Sequence, residues 1–286
     1  MANTYLSTIN PHERDTLIKF YTYGHRYEIL CDMKSRYTSV TTWIHTHFPK
    51  FNADEIIQKM FNGKNWNPQN KYWGMTADEI KNSWKKSGES SCTLGTNLHE
   101  KIELFMNINI DINNPNNPDN PNNSSNHTLS DLVRNNIDNS DNPEWQYFLH
   151  FAEDYPDLKP YRTEWMIFDE ELKIAGSIDM VFENSDGTLS IYDWKRCKEI
   201  NRENTWNKFA SNELISHLPD TNYWHYSLQL NTYKAILERK YGKTVKELYL
   251  VKLHPEDPNN SYELIEVPIL SEEIDKLFQQ RIDMQK

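Results

Sequence analysis

Only three cysteines occur in 286 residues, and Cys31, Cys92 and Cys197 share no C-x-x-C spacing. Such a set suits neither a structural zinc nor an iron–sulfur cluster, since both need several converging thiolates. No G-x-x-x-x-G-K-[ST] stretch is present, so there is no sign of a nucleotide-driven motor. No apolar run approaches a bilayer span. The opening Met1-Ala-Asn-Thr-Tyr-Leu has neither a secretory apolar region nor an arginine-rich transit pattern. The expectation is a protein of the cytoplasm or nucleus with no membrane partner. Basic residues are in deficit as well, 31 Lys and Arg against 42 Asp and Glu, for a net charge of -11. Polyanion binding calls for basic surface, so any such contact must come from local clustering. Lys195, Arg196, Lys198, Arg202 and Lys208 form one basic run, while acids elsewhere favour solubility.

What is present centres on Gly176-Ser-Ile-Asp179 and, 14 positions after Asp179, Asp193-Trp-Lys195. Strand-like residues cover 173–183 and 188–195, with Asn184-Ser-Asp-Gly187 as the turn signal between them. A three-residue loop closed by Asn184 and Thr188 brings Asp179 opposite Asp193, with Cβ atoms about 5 Å apart. Alternation then gathers Ile178, Met180, Phe182, Tyr192 and Trp194 on one face, and puts Lys195 with Asp193 on the other. Two carboxylates that close repel unless a proton or cation lies between them, and hard divalent cations prefer oxygen ligands. Acids and lysines are also common on exposed strands, so the hairpin alone leaves both readings open.

Further pieces flank it. Gly95-Thr-Asn-Leu-His99-Glu-Lys-Ile-Glu103 reads as the start of a helix, with Leu98, Ile102 and Phe105 as its apolar stripe and His99 with Glu103 on another face. Gln229-Leu-Asn-Thr-Tyr233 falls in a helical stretch over 224–240, where Tyr233 is equally a core tyrosine beside Tyr226, Leu230 and Leu237. Strands are expected at 163–168, 245–253 and 262–267, a closing helix at 271–284, and N-terminal helices at 53–61 and 76–87. Asp54 and Asp78 suit the positive ends of the last two. Residues 107–126 form an Asn/Pro tract with no apolar face, expected as a disordered loop. Trp66, Tyr72, Trp73, Trp84, Tyr223 and Trp224 sit in polar surroundings, and aromatics of this kind can stack on the bases of a single strand.

In order and spacing, GTNLHEKIE, GSID, DWK and QLNTY together resemble the RecB-type branch of the PD-(D/E)XK nuclease superfamily. Tyr37-Thr-Ser39-Val-Thr41 followed by Trp43-Ile44 is similar to an entry segment of the mitochondrial genome maintenance exonuclease group in that branch. The resemblance covers about residues 92 to 254. It implies an α/β, restriction-endonuclease-like core over 91–286, with a mixed central sheet flanked by helices, and an N-terminal extension over 1–90. It further implies that His99, Asp179, Asp193 and the main-chain carbonyl of Trp194 hold Mg²⁺ or Mn²⁺, with Glu103 in support. Lys195 would orient the attacking water and stabilise charge on the scissile phosphate. Gln229 and Tyr233 would brace that lysine and contact the substrate, with Ser39, Thr41, Arg196 and Lys198 as further substrate contacts. The four-cysteine cluster of several relatives is absent. The implied function is a metal-dependent exonuclease on single-stranded DNA, in replication, repair or recombination. An RNA endonuclease of cap-snatching type and a catalytically inactive nucleic-acid-binding module are the alternatives.

Overall fold

A computed structural model describes residues 5–110, 127–138, 140–204 and 207–285. The expected disordered tract lies, from residue 111 onward, outside the described residues. Its first residue is already structural: Asn107 is buried and its Oδ1 accepts the backbone N–H of Leu6 at 3.0 Å.

The centre is a six-stranded mixed sheet. The strands are β3 (Thr38–Ser39), β4 (Lys159–Asp169), β5 (Ile174–Glu183), β6 (Leu189–Lys195), β7 (Val245–Lys252) and β8 (Glu263–Glu266); β1 (Ile18–Tyr21) and β2 (Arg26–Ile29) form a separate hairpin. The β5–β6 turn has the expected chemistry. Asn184 donates to the Thr188 carbonyl at 2.8 Å, and Gly187 takes the left-handed φ of +78° that the turn needs.

One edge of β5 pairs antiparallel with β4 along most of its length, and the other edge is shared. Parallel β3 takes its start, at Ile174 and Ala175, and antiparallel β6 takes its end, from Met180↔Tyr192 to Glu183↔Leu189. Between these contacts β5 and β6 diverge. Asp193, Trp194 and Lys195 continue along β7 only, opposite Leu250, Val251 and Lys252. The sheet therefore forks beside Gly176–Asp179.

Helices cover both faces of the sheet. On one face lie α1 (Tyr5–Ile9), α4 (Ala77–Met106), α5 (Leu129–Arg134) and α6 (Pro143–Asp154); here Ile102, Phe105, Trp145, Phe148 and Phe151 pack on Met180, Phe182, Tyr192 and Trp194. On the other lie α2 (Val40–His45), α7 (Asn222–Lys240) and α8 (Ser271–Asp283), over Trp165, Ile167, Val181, Ile191 and Leu250. Ile178 belongs to this second cluster, not with Met180 and Phe182 as simple alternation predicts. The pleat breaks at Glu164, whose φ of +45° interrupts β4 opposite Asp179. Nor is the Asp193 face open to solvent, because α7 and its neighbours cover it.

Two expected helices, at 76–87 and from Gly95, are one. α4 runs 30 residues, opened by a capping box in which Thr76 and Glu79 each accept the other's backbone N–H. Gly88 and Gly95 pass through it, each costing only about 1 kcal/mol in a helix. The expected division near residue 90 falls inside this helix. α3 (Ala53–Phe61) packs on the start of α4, where Lys81 pairs with Asp54 at 3.0 Å. Leu98, Ile102, Phe105 and Met106 anchor its far end, yet nothing in 85–97 is buried.

Candidate active site

The fork decides which groups meet. Freed from the β5 ladder, the Trp194 N–H donates instead to Asp179 Oδ2 at 3.0 Å. From α4, His99 reaches the same strand end: Nε2 lies 3.0 Å from the Trp194 carbonyl oxygen, and Nδ1 lies 3.6 Å from Asp179 Oδ2 and 3.8 Å from Glu164 Oε1. Ser177 Oγ donates to Glu164 Oε2 at 3.0 Å and steadies that carboxylate. On β6, Asp193 is only 2% exposed; Lys195 Nζ stands 2.5 Å from its Oδ2, and its Oδ1 has no hydrogen-bond donor among the described residues. Lys195 Nζ also lies 4.4 Å from the centre of the Tyr226 ring on α7.

Gly176 lets α7 approach. A Cβ there would meet Tyr233 Cε1 at 2.7 Å and Val40 Cγ2 at 3.2 Å, so the tyrosine occupies the space a side chain would fill. Tyr233 in turn accepts from Gln229 Nε2 at 3.2 Å.

The electrostatics are those of crowded acids. Burial raises Asp179, and the neighbouring Glu164 charge adds to it, against His99 and Lys195. Burial likewise pushes Asp193 up to about 6, with Asp179 repelling it and Lys195 opposing. His99 is disfavoured as a cation by burial, but Asp179 and Glu164 outweigh that and push it up to about 9. Burial works against the Lys195 ammonium too, yet Asp193 and Asp179 hold it well above its ordinary value. Glu103 is raised by burial, then by Glu164 and Glu100. More negative charge is gathered than the protein's own cations neutralise.

A hard divalent cation fits this donor set. Ligand atoms of His99, Glu164 and Asp179 all lie within 4.8 Å of one another, and the unpartnered Asp193 Oδ1 and the Trp194 carbonyl offer further oxygens nearby.

The sequence profile of the PD-(D/E)XK nuclease superfamily matches residues 75–284, which contain every one of these groups. The chain belongs to this superfamily. Membership of this family supports a metal-dependent nuclease. No curated protein sequence matches it. A solved structure titled "Crystal structure of SSO0001" is similar at 16% identity and a TM-score of 0.24, over 44% of this chain and 51% of that one. That likeness spans about half of the other chain and is too slight to inform the site.

Within this PD-(D/E)XK fold the expected residues separate into groups. His99, Asp179, Asp193, Trp194 and Lys195 come together, and Glu103 stands on α4 close enough to Glu164 to be raised by it. Gln229 and Tyr233 face the fork from α7, but the aromatic ring over Lys195 is that of Tyr226. Ser39 caps α2, its Oγ accepting the Thr42 N–H at 3.1 Å, and Thr41 is exposed beside it. Arg196, expected as a substrate contact, is 12% exposed and ion-paired with Glu144 at the start of α6. Lys198 is exposed and paired with Glu256. Glu164 is the residue sequence reasoning missed. Its only signal is an acid inside a predicted strand, and the pairing of β4 with β5 is what carries it to Asp179.

Proposed function

We propose that this nuclease is a deoxyribonuclease that degrades single strands from a free end, using Mg²⁺ or Mn²⁺. The observation that carries the catalytic part is the convergence of His99, Glu164, Asp179 and Asp193 beside the Lys195 ammonium at the sheet fork. On this reading, His99, Glu164, Asp179 and the Trp194 carbonyl hold the cation, with Asp193 Oδ1 at its margin and Glu103 behind. A cation bound there supplies Lewis acidity toward the phosphate and lowers the pKa of a water. Lys195, held by Asp193 and seated over Tyr226, places its ammonium where charge develops on the phosphate oxygens. Gln229 presents its amide, fixed against Tyr233, toward the strand.

The bare middle of α4 supports the free-end part. Thirteen residues, 85–97, run with no buried side chain between two packed ends, which is about 20 Å of helix standing clear of the core next to His99. A strand passing beneath such a span has to enter end first. Incubating circular and linear forms of one single strand with enzyme and Mg²⁺ tests this: the linear form should be degraded and the circle survive. Equal loss of both forms would replace the exonuclease reading with an endonuclease.

A further inference from the structure

Away from the fork, a cleft of about 1350 Å³ opens between α2, α3, the 63–72 loop and the segment that leads into α7. It is larger than the 300–1,000 Å³ of typical small-molecule pockets. Its charge runs against that of the molecule. Lys50, Lys64, Lys71 and Lys208 line it, and no carboxylate among the described residues forms an ion pair with any of them. Its two acids are already engaged, Glu55 with Lys59 and Asp220 with His225 at 2.9 Å. In a chain of net charge -11, four unpaired ammonium groups around one cleft form a site for an extended anion.

Aromatic rings line the same space. Phe51 is 73% exposed at its edge, and Trp84 connects it to Tyr72 on the wall, with the Trp84 Nε1–H donating to the Tyr72 hydroxyl at 2.9 Å. Phe48 and His225 lie 3.9 Å apart, centre to centre, at the core side. An exposed ring and a half-buried one in a cleft lined by lysines suit a polymer that presents phosphates and flat bases together.

The cleft shares α2 and α7 with the site. His225 is one helical turn before Gln229 on α7 and adjacent in sequence to Tyr226, and Thr42 follows the Val40 that packs at Gly176.

We propose that this cleft binds the single-stranded nucleic acid on one side of the scissile phosphate, its lysines holding the backbone and Phe51 and Tyr72 stacking on bases. The proposal rests on the nuclease reading above and adds to it where the strand runs.

The test compares wild-type protein with a Lys64→Ala/Lys71→Ala variant and with Phe51→Ala. All three residues lie on the surface of the cleft, so the variants should fold. Binding of labelled single strands of two lengths, a trinucleotide and a 20-mer, is measured by anisotropy in EDTA across a salt series. Wild type should favour the 20-mer. The double-lysine variant should lose about tenfold or more of that preference, and its slope of log affinity against log salt should shrink by about 1.4, two phosphate contacts at about 0.7 each. Phe51→Ala should lose at least about fivefold, the lower end of base stacking. Equal affinity of wild type and variants for the 20-mer overturns the cleft assignment, as does displacement of the strand by polyglutamate at equal charge concentration. Because EDTA binding is read without cleavage, a protein that binds as expected but cuts nothing refutes the catalytic reading and leaves the cleft standing.

Discussion

Asp193 sits at 2% exposure with the Lys195 ammonium beside it and the Asp179 carboxylate close by. Burial and Asp179 raise its carboxyl, yet Asp193 and Asp179 hold the buried Lys195 ammonium well above its ordinary value, so removing the Asp193 charge leaves that ammonium short of a partner. Asp193→Asn, which keeps the shape and removes the charge, should therefore lower the Tm of EDTA-treated protein at pH 7.5 as well as abolish cleavage. A raised Tm would show that repulsion from Asp179 and burial outweigh the pair with Lys195. A second residue sets a pH response far from the fork. His47 is 6% exposed, its Nδ1 lies 3.0 Å from Asn212 Nδ2, and burial, helped by Arg281, lowers it to about 4. A depressed folded pKa means that the unfolded chain binds the extra proton, so this contribution is intact above about 6.5 and drains as pH falls toward 4. The full loss is about 3 kcal/mol. His47→Gln should flatten the fall of urea-unfolding stability between pH 7 and 4.5, and an unchanged slope would remove His47 as its source.

Among the elements, α4 is held at its ends and bare between them, so propensity decides the stability of its middle. Gly88 lies in that stretch with no atom within 4 Å of an added Cβ. Gly88→Ala should then raise unfolding stability by about 0.5–1 kcal/mol, the helical cost of glycine. Circular dichroism and thermal unfolding would check it, and a destabilised variant would mean that the stretch bends or packs in a way its exposure does not reveal. The sheet element behaves differently. β5 ends up with two partners on one edge because β3 and β6 each use only part of its length, and the unpaired backbone between them is where side chains take over. Asp179 accepting the Trp194 N–H is the direct result.

Across the whole molecule, the candidate metal ligands come from α4, β4 and β5, with β6 contributing the Trp194 carbonyl. These segments are far apart in the chain, so the site exists only in the folded state and a bound ion must stabilise that state. At a free concentration about 100 times its Kd, Mn²⁺ should add about 2.7 kcal/mol. Because an imidazole favours transition metals, His99→Ala should cut the Tm rise with Mn²⁺ more than that with Mg²⁺. Equal reductions would make His99 structural. No helix among the described residues is long and apolar enough to cross a membrane.

Much of this was legible beforehand because it is local. The turn Asn184–Gly187, the alternating strands beside it and the helices at 53–61 and 271–283 follow from turn chemistry and periodicity, which act over a few residues. Asp179, Asp193, Lys195 and His99 could be singled out because short motifs keep fixed spacings within one strand or helix turn. The third acid of the candidate metal set could not be seen. Glu164 acquires its meaning from a left-handed kink and from register with a strand ten residues further on, while the turn of Arg196 toward Glu144 depends on where α6 docks. Nor does periodicity tell whether Gly88 and Gly95 end a helix, since that depends on what holds its two ends. Residue types and their spacing along the chain were settled by the sequence alone. The fork that lets β5 and β6 part, the closeness of three carboxylates and the bare span of α4 were settled by tertiary packing, because long-range contacts offset charge repulsion and unpaired backbone that no local segment sustains by itself.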